Sequence, residues 1–325
     1  MRKRLLKFIN SILKFVGFFL IKEHKLRSLI SIRDAFARKS LSNNQSHRVF
    51  HNEISGVVFS CDRPGQLYIF LTSYFKFSRG DVPSLAVIIK TSNSDFKIGY
   101  EKLISIFSCN PKVVFIYENI SFKHTLLCLI SDLDCRRIFF NVDDMVYIRP
   151  IDWDKVCNEV NSIYDIFSIR LGVRIDFSYT ANRFIGTPSP FEIKTPVMVY
   201  NWGDKPCEWS DPLSVDGNIY MASTIFPLIE VLDFQAPNSL ESGLKEFSFL
   251  FDGERFSTFE NPSVVNVVLN RVQNEVTNRS PDISPEYLLK KWIQGEVVDM
   301  TSMPRNSTHV ELPEVRFTRI SEGLY

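Results

Sequence analysis

Arg137-Ile138-Phe139-Phe140-Asn141-Val142-Asp143-Asp144 sets a largely apolar run directly before two adjacent carboxylates. A run that is apolar on both faces belongs inside a parallel sheet covered on both sides. Side-by-side acids at its end repel one another and lose hydration, so each is pushed toward the protonated form unless a cation or hydrogen-bond donors compensate. A divalent metal is one natural compensation, and Mg2+ or Mn2+ suits such hard oxygen ligands, completing its shell with water and phosphate. The plain alternative is a strand that ends in a turn, where Asp is common.

Working back from this stretch, apolar strands alternate with amphipathic helices. The pattern predicts strands at residues 56–60 (GVVFS), 85–90 (LAVIIK) and 112–117 (KVVFIY), with helices at 64–77, 95–108 and 121–133 between them. Asp62 is positioned to cap the first helix, with Pro64 in its first turn. The series predicts an α/β fold with a mostly parallel central sheet flanked by helices, Rossmann-like, in which ligands sit at the carboxyl ends of the strands.

Working forward, the pattern turns irregular. Strands are expected at 146–148, 167–170 and 196–200, helices at 152–162 and 219–232, and a loop rich in Trp, Pro and Gly between 201 and 216. Further helical stretches are expected near 263–274 and 285–293, followed by an extended tail.

The charge is unevenly spread. The 325-residue chain carries a net charge of only +1, yet residues 1–39 hold eleven Lys or Arg against Glu23 and Asp34. Lys3, Lys7, Asn10 and Lys14 recur at helical spacing among Leu5, Leu6, Phe8, Ile9, Ile12, Leu13, Phe15 and Val16, the mark of a basic amphipathic helix. The longest uncharged run there, residues 15–21, falls far short of the ~20 residues that a membrane span needs. The segment is therefore expected to lie on an anionic membrane surface, making the protein cytoplasmic and peripheral at the inner face of the cell membrane. A helix docked on the main domain is the other reading; no nucleic-acid motif follows downstream, so a nucleic-acid partner is not expected. Residues 1–52 are thus read as a membrane-associating segment and linker, 53–235 as the α/β core and 236–325 as a C-terminal extension.

Six cysteines, at 61, 109, 128, 135, 157 and 207, form no Cys-x-x-Cys pair, which argues against a zinc ribbon or a disulfide framework and for buried free thiols. The chain has no Walker loop, no Gly-x-Ser-x-Gly elbow, no His-Glu-x-x-His and no dinucleotide fingerprint after its first strand.

Three further constellations carry candidate chemistry. Ser60-Cys61-Asp62-Arg63-Pro64 follows the first strand and sets a carboxylate, which accepts hydrogen bonds, beside an arginine, which suits an anion. Arg170, ending the strand at 167–170, can contact donor phosphate or sugar, or lie on the surface. Asp216, after the loop holding Trp202 and Trp209, can deprotonate an acceptor hydroxyl if burial raises its pKa, or else simply cap a helix. The two Trp residues can stack on a sugar face or pack the core.

On the acidic pair after the fourth strand and on Ser60–Pro64, the chain resembles the GT-A glycosyltransferases, over residues 54–235. The resemblance implies a metal-dependent enzyme of bacterial surface-polysaccharide type. It would move a sugar from a nucleoside-diphosphate donor, UDP-sugars foremost, to a glycan or lipid-linked acceptor. It assigns metal binding to Asp143, Asp144 and a late His309, and donor binding to Ser60, Asp62, Arg63, Asn141, Asp143 and Arg170. Asp216 becomes the catalytic base. The family's usual Asp-x-Asp is replaced here by Asn141-x-Asp143 with Asp144 added. A nucleotidyltransferase that makes an activated sugar, and a non-catalytic membrane-bound binding module, remain the alternatives.

Overall fold

The computed structural model describes residues 52–179, 182–203, 209, 211–270, 281, 283–303 and 307–320. The basic segment at 1–39 lies outside them, as does Cys207.

Strand β1 (Asn52–Cys61) leads into helix α1 (Pro64–Phe77), β2 (Ser84–Lys90), α2 (Ser94–Phe107), β3 (Val113–Tyr117), α3 (Phe122–Asp132) and β4 (Cys135–Val142). These follow the expected alternation closely. Local chemistry accounts for the helix starts. Pro64 occupies the first turn of α1, where its missing N–H is no loss. Asn93 accepts from Asp95 N at 2.9 Å at the head of α2, and Ser121 accepts from His124 N at 3.2 Å at the head of α3.

Beyond β4 come β5 (Met145–Tyr147), α4 (Trp153–Glu159), β6 (Ile166–Ser168), β7 (Glu192–Lys194), β8 (Val197–Asn201), β9 (Asn218–Met221), α5 (Ala222–Val231) and α6 (Pro237–Lys245). The last third adds β10 (Arg255–Phe259), β11 (Val264–Val267), α7 (Pro285–Ile293) and β12 (His309–Val310).

Nine strands form one sheet in the order β7-β8-β10-β6-β9-β4-β1-β2-β3. The half built from β4, β1, β2 and β3 is parallel, as expected. The other half is mixed: β9 runs antiparallel to both β4 and β6, β7 and β8 are antiparallel, and only β6–β10 is parallel. The sheet is therefore less parallel than the leading alternation predicts, because β7 and β8 pair as antiparallel neighbours and β9 enters from a loop to run antiparallel between β6 and β4.

Two local expectations are corrected. Residues 219–232 are a strand followed by a helix, since 218–221 complete the sheet beside β4. Residues 264–267 of the expected helix at 263–274 are strand β11, which pairs with β5 and β12 in a three-stranded sheet; residues 271–274 lie outside the described residues. The segment 236–325 packs on the same layers: β10 sits between β8 and β6 inside the large sheet, and Trp292 of α7 is fully buried against Tyr68 and Gly99.

After β3 the chain crosses back over β1 to form β4, so the strand order reverses between β1 and β4. In open α/β sheets that reversal opens a crevice at the carboxyl ends of the two strands. The sheet interior at this point is tightly closed: a Cβ on Gly56 of β1 would lie 2.4 Å from the Phe139 ring of β4. Among the described residues no helix is long and apolar enough to cross a membrane.

Candidate functional site

The crevice between β1 and β4 is where the acidic pair stands. Asp143 continues the parallel ladder, its N–H donating to Phe59 O at 3.1 Å, so its side chain emerges beside the end of β1. Its carboxylate accepts from Ser60 Oγ at 2.8 Å, from Cys61 N at 3.1 Å and from Arg63 Nη1 at 3.0 Å. Ser60 is held in turn against the Tyr100 hydroxyl at 2.6 Å. Burial pushes Asp143 up to about 6 even though Arg63 opposes the shift, with Asp144 adding its repulsion.

Asp144 is held from the other side. Its Oδ1 accepts from Asn266 Nδ2 at 3.1 Å, its Oδ2 from Arg63 Nη1 at 3.2 Å, and its carbonyl from Val267 N at 2.8 Å. Strand β11 thus docks on the residue directly. Arg63 joins the two acids: besides Nη1 on both carboxylates, its Nε donates to Asn270 Oδ1 at 3.0 Å and its Nη2 to Asn270 O. Gln66 Nε2 fixes the same Asn270 Oδ1 at 3.1 Å. Burial works against the Arg63 charge, but the two carboxylates outweigh it and hold the guanidinium more firmly protonated.

Asp216 enters from β9. Because β9 is antiparallel to β4, its leading end lies at the carboxyl end of β4, where Gly217 N donates to Phe140 O at 2.8 Å. Gly217 adopts φ +69, a backbone form that Gly takes at no steric cost, and a Cβ there would meet Ile169 and Met145 side chains at 3.0 Å. Ser214 Oγ accepts from Asp216 N at 3.1 Å and donates to Glu241 Oε1 at 2.6 Å. Burial pushes Asp216 up to about 7; Arg170 opposes this, while Glu241, Asp144 and Asp211 reinforce it. Asp216 caps no helix, since β9 intervenes and Met221 precedes α5.

Arg170 follows β6, the neighbour of β9. It is buried, reaches Ser214 Oγ at 3.4 Å, and its Nε has no protein partner. A buried guanidinium with an unused N–H is rare and costly, which marks the spot as one that can take an acceptor oxygen from a ligand. Asn266 Oδ1 and Asn270 Nδ2 are buried and unpartnered as well.

His309 of β12 lies in register with Asn266. Its Nε2 is 3.9 Å from Asp216 Oδ2, and its Nδ1 is 3.1 Å from Thr308 Oγ1. Burial, with Arg170 second, lowers its pKa to about 3, so it is neutral and forms no ion pair with Asp216 at neutral pH.

The other expected residues fall elsewhere. Asp62 takes φ +54 and accepts from Ser92 N at 2.8 Å, tying the end of β1 to the loop after β2; Arg63, not Asp62, stands at the helix boundary. Asn141 is fully buried and donates to the Tyr147 hydroxyl at 2.9 Å, so it supports β5 from beneath the crevice. Trp202 and Trp209 pack on Phe256, with ring centroids 5.5 and 6.2 Å away, and present no open face to a sugar. Cys61, pushed up to about 12 chiefly by burial, stays a thiol beside the site. Cys109 and Cys128 are exposed rather than buried.

Does this donor set fit a divalent ion? Asp143 has both oxygens satisfied by protein donors, and the guanidinium of Arg63 stands between Asp143 and Asp144. His309 faces Asp216 instead of that pair. Among the described residues no three His, Cys, Asp or Glu side chains gather closely enough to hold a metal. The trio Asp143, Asp144 and His309 therefore does not fit a metal as arranged, because the compensating charge between the acids is already an arginine.

Asn266, Asn270, Gln66, Ser214 and Glu241 were not anticipated. Amides and hydroxyls carry little signal in a sequence, and the two Asn residues lay in a stretch read as helical.

No family model matches the chain. It is 28% identical over 196 residues to the bifunctional glycosyltransferase pgtA of Dictyostelium discoideum, a match covering 55% of this chain and 25% of that protein. The chain thus matches only about a quarter of that relative's length. Among solved structures it is similar to TarS 1-349 of S. aureus in complex with UDP-GlcNAc, at 11% identity and a TM-score of 0.45, covering 68% of this chain and 60% of that one. It is also similar to the WbbM bifunctional glycosyltransferase, at 12% identity and a TM-score of 0.35, covering 65% and 39%. Over 196 residues, then, the chain is similar to a glycosyltransferase, and its own strand order is that of an α/β fold with a parallel half-sheet.

Proposed function

We propose that the protein transfers a sugar from a nucleoside-diphosphate sugar, a UDP-sugar foremost, to a hydroxyl group of a glycan or lipid-linked acceptor. The observation that carries this reading is Asp216. It is a largely buried carboxyl group, its side chain 16% exposed, pushed up to about 7 and standing at the carboxyl end of the sheet within the fields of Arg170 and Asp144. A general base works best with a pKa near the working pH, where it is both free of its proton and basic enough to take one.

In this scheme Asp216 accepts the acceptor hydroxyl proton as that oxygen bonds to the anomeric carbon. The bond from that carbon to the diphosphate breaks, and its electron pair leaves on the phosphate oxygen. Direct displacement of this kind inverts the anomeric centre. Arg170, with its unused Nε, takes a phosphate or sugar oxygen, and preorganised positive charge of this sort stabilises the leaving group as its charge grows. Ser60 and Arg63 order the end of β1 under the nucleotide.

Surface-polysaccharide synthesis is the role we infer, with the basic segment at residues 1–39 holding the enzyme beside a lipid-borne acceptor.

The test is release of UDP or GDP from a panel of nucleotide sugars, with and without candidate acceptors. Asp216→Asn should lower kcat by about 10²–10⁴-fold while leaving nucleotide affinity within a few-fold. A chain that binds no nucleotide sugar, or an Asp216→Asn variant with unchanged kcat, would sink the proposal.

A further inference from the structure

The acidic pair carries a second conclusion. The resemblance leads one to expect a divalent ion between Asp143 and Asp144, yet each carboxylate accepts from the same Arg63 Nη1, at 3.0 and 3.2 Å. The guanidinium is no loose surface group that has drifted there. Its Nε and Nη2 are both bound to Asn270, whose side chain is in turn held by Gln66. Four of its five N–H donors are thereby committed, two on the acids and two on Asn270. An arginine fixed on both flanks cannot swing aside without giving up both Asn270 bonds and leaving a buried carboxylate unpaired, an outcome far more costly than breaking a surface ion pair. Asp143 Oδ2 also accepts from both Ser60 Oγ and Cys61 N, so with Arg63 on Oδ1 the carboxylate has little capacity left for a metal.

We propose that Arg63 is the resident cation of this pair: clamped between Asp143, Asp144 and Asn270, it occupies the position of a divalent ion and keeps Mn2+ and Mg2+ off the two carboxylates. The claim concerns the site of the proposed transferase, but it is measured with the metal alone. It therefore stands or falls separately from any activity toward sugar nucleotides.

The experiment titrates the full chain with Mn2+, following free ion by electron paramagnetic resonance and stability by thermal unfolding with and without the ion. The native chain should show no saturable site that depends on Asp144 and no shift in Tm. In Arg63→Met the two acids lose their cation, so Mn2+ should bind at least about tenfold more tightly than to the native chain and raise Tm, since a ligand that binds only the folded state stabilises it. Arg63→Lys keeps one charge but not the planar fork that spans both acids and Asn270, and should fall between the two. It also serves as the decisive variant if Arg63→Met does not fold. Saturable Mn2+ binding to the native chain that Asp144→Asn abolishes would overturn the proposal. So would folded Arg63→Met and Arg63→Lys variants that gain neither Mn2+ affinity nor Mn2+-dependent stability.

Discussion

Asp216 combines two demands that pull against each other. Its pKa of about 7 arises chiefly from burial, so the folded chain holds the proton more tightly than an unfolded chain with an ordinary carboxylate value would. By linkage, the contribution of this group to stability is complete below the unfolded pKa and is lost as pH rises through about 7. The ionised form needed to accept a proton is thus the form that strains the fold. Two consequences follow. Initial rates at low substrate should climb with pH to a plateau, with a midpoint near 7, and a flat profile between pH 5 and 8 would exclude Asp216 as the base. Asp216→Asn, while losing activity, should be more stable than the native chain at pH 8 and no more stable at pH 4. The gain is at most about 4 kcal/mol for a shift of roughly three units, and urea unfolding at the two pH values measures it.

At the scale of elements, legibility followed locality. The helix at 64–77 was readable because Pro64 and the apolar periodicity act within one turn, and the strand before Asp143 because a buried parallel strand is a continuous apolar run. Residues 219–232 form a continuous apolar stretch too, and periodicity alone does not separate a strand plus a helix from one helix. What decides it is the ladder from Ile219 and Tyr220 to Phe139 and Ile138, some 80 residues away in sequence. The same holds for Val264–Val267, whose partners are Met145–Tyr147. The acids of the site were therefore legible by position, whereas Asn266 and Asn270, which reach Asp144 and Arg63 only through that distant pairing, were not. Close packing brings helix α7 to the same core. A Cβ on Gly99 of α2 would lie 2.6 Å from Leu289 Cδ1 and 2.9 Å from Pro64 Cγ, while Gly99 O accepts from Trp292 Nε1 at 2.8 Å. Gly99→Val should therefore wedge α7 from α1 and α2 and cost about 1–3 kcal/mol in chemical denaturation. A neutral result would mean that this contact tolerates expansion.

At the scale of the whole chain, charge divides the sequence in two. Residues 1–39 carry nine more basic than acidic groups, while the remainder carries eight more acidic than basic ones. An anionic bilayer attracts the first and repels the second, so attachment should depend on the leading segment and orient the chain with its acidic body away from the surface. Each basic side chain near the headgroups contributes about 1 kcal/mol, a benefit confined to roughly a Debye length and weakened by salt. Apolar residues between the lysines, such as Leu5, Phe8, Ile12 and Phe15, add insertion that salt does not remove. The full chain should therefore sediment with vesicles containing phosphatidylglycerol and stay largely free of neutral phosphatidylcholine vesicles, with binding reduced but not abolished at high salt. A chain beginning at residue 52 should bind neither, yet keep the same nucleotide affinity, because the described crevice uses no residue before Ser60. Equal binding of the two chains to anionic vesicles would remove residues 1–39 as the membrane-attaching element, and with them the reason to expect a lipid-borne acceptor.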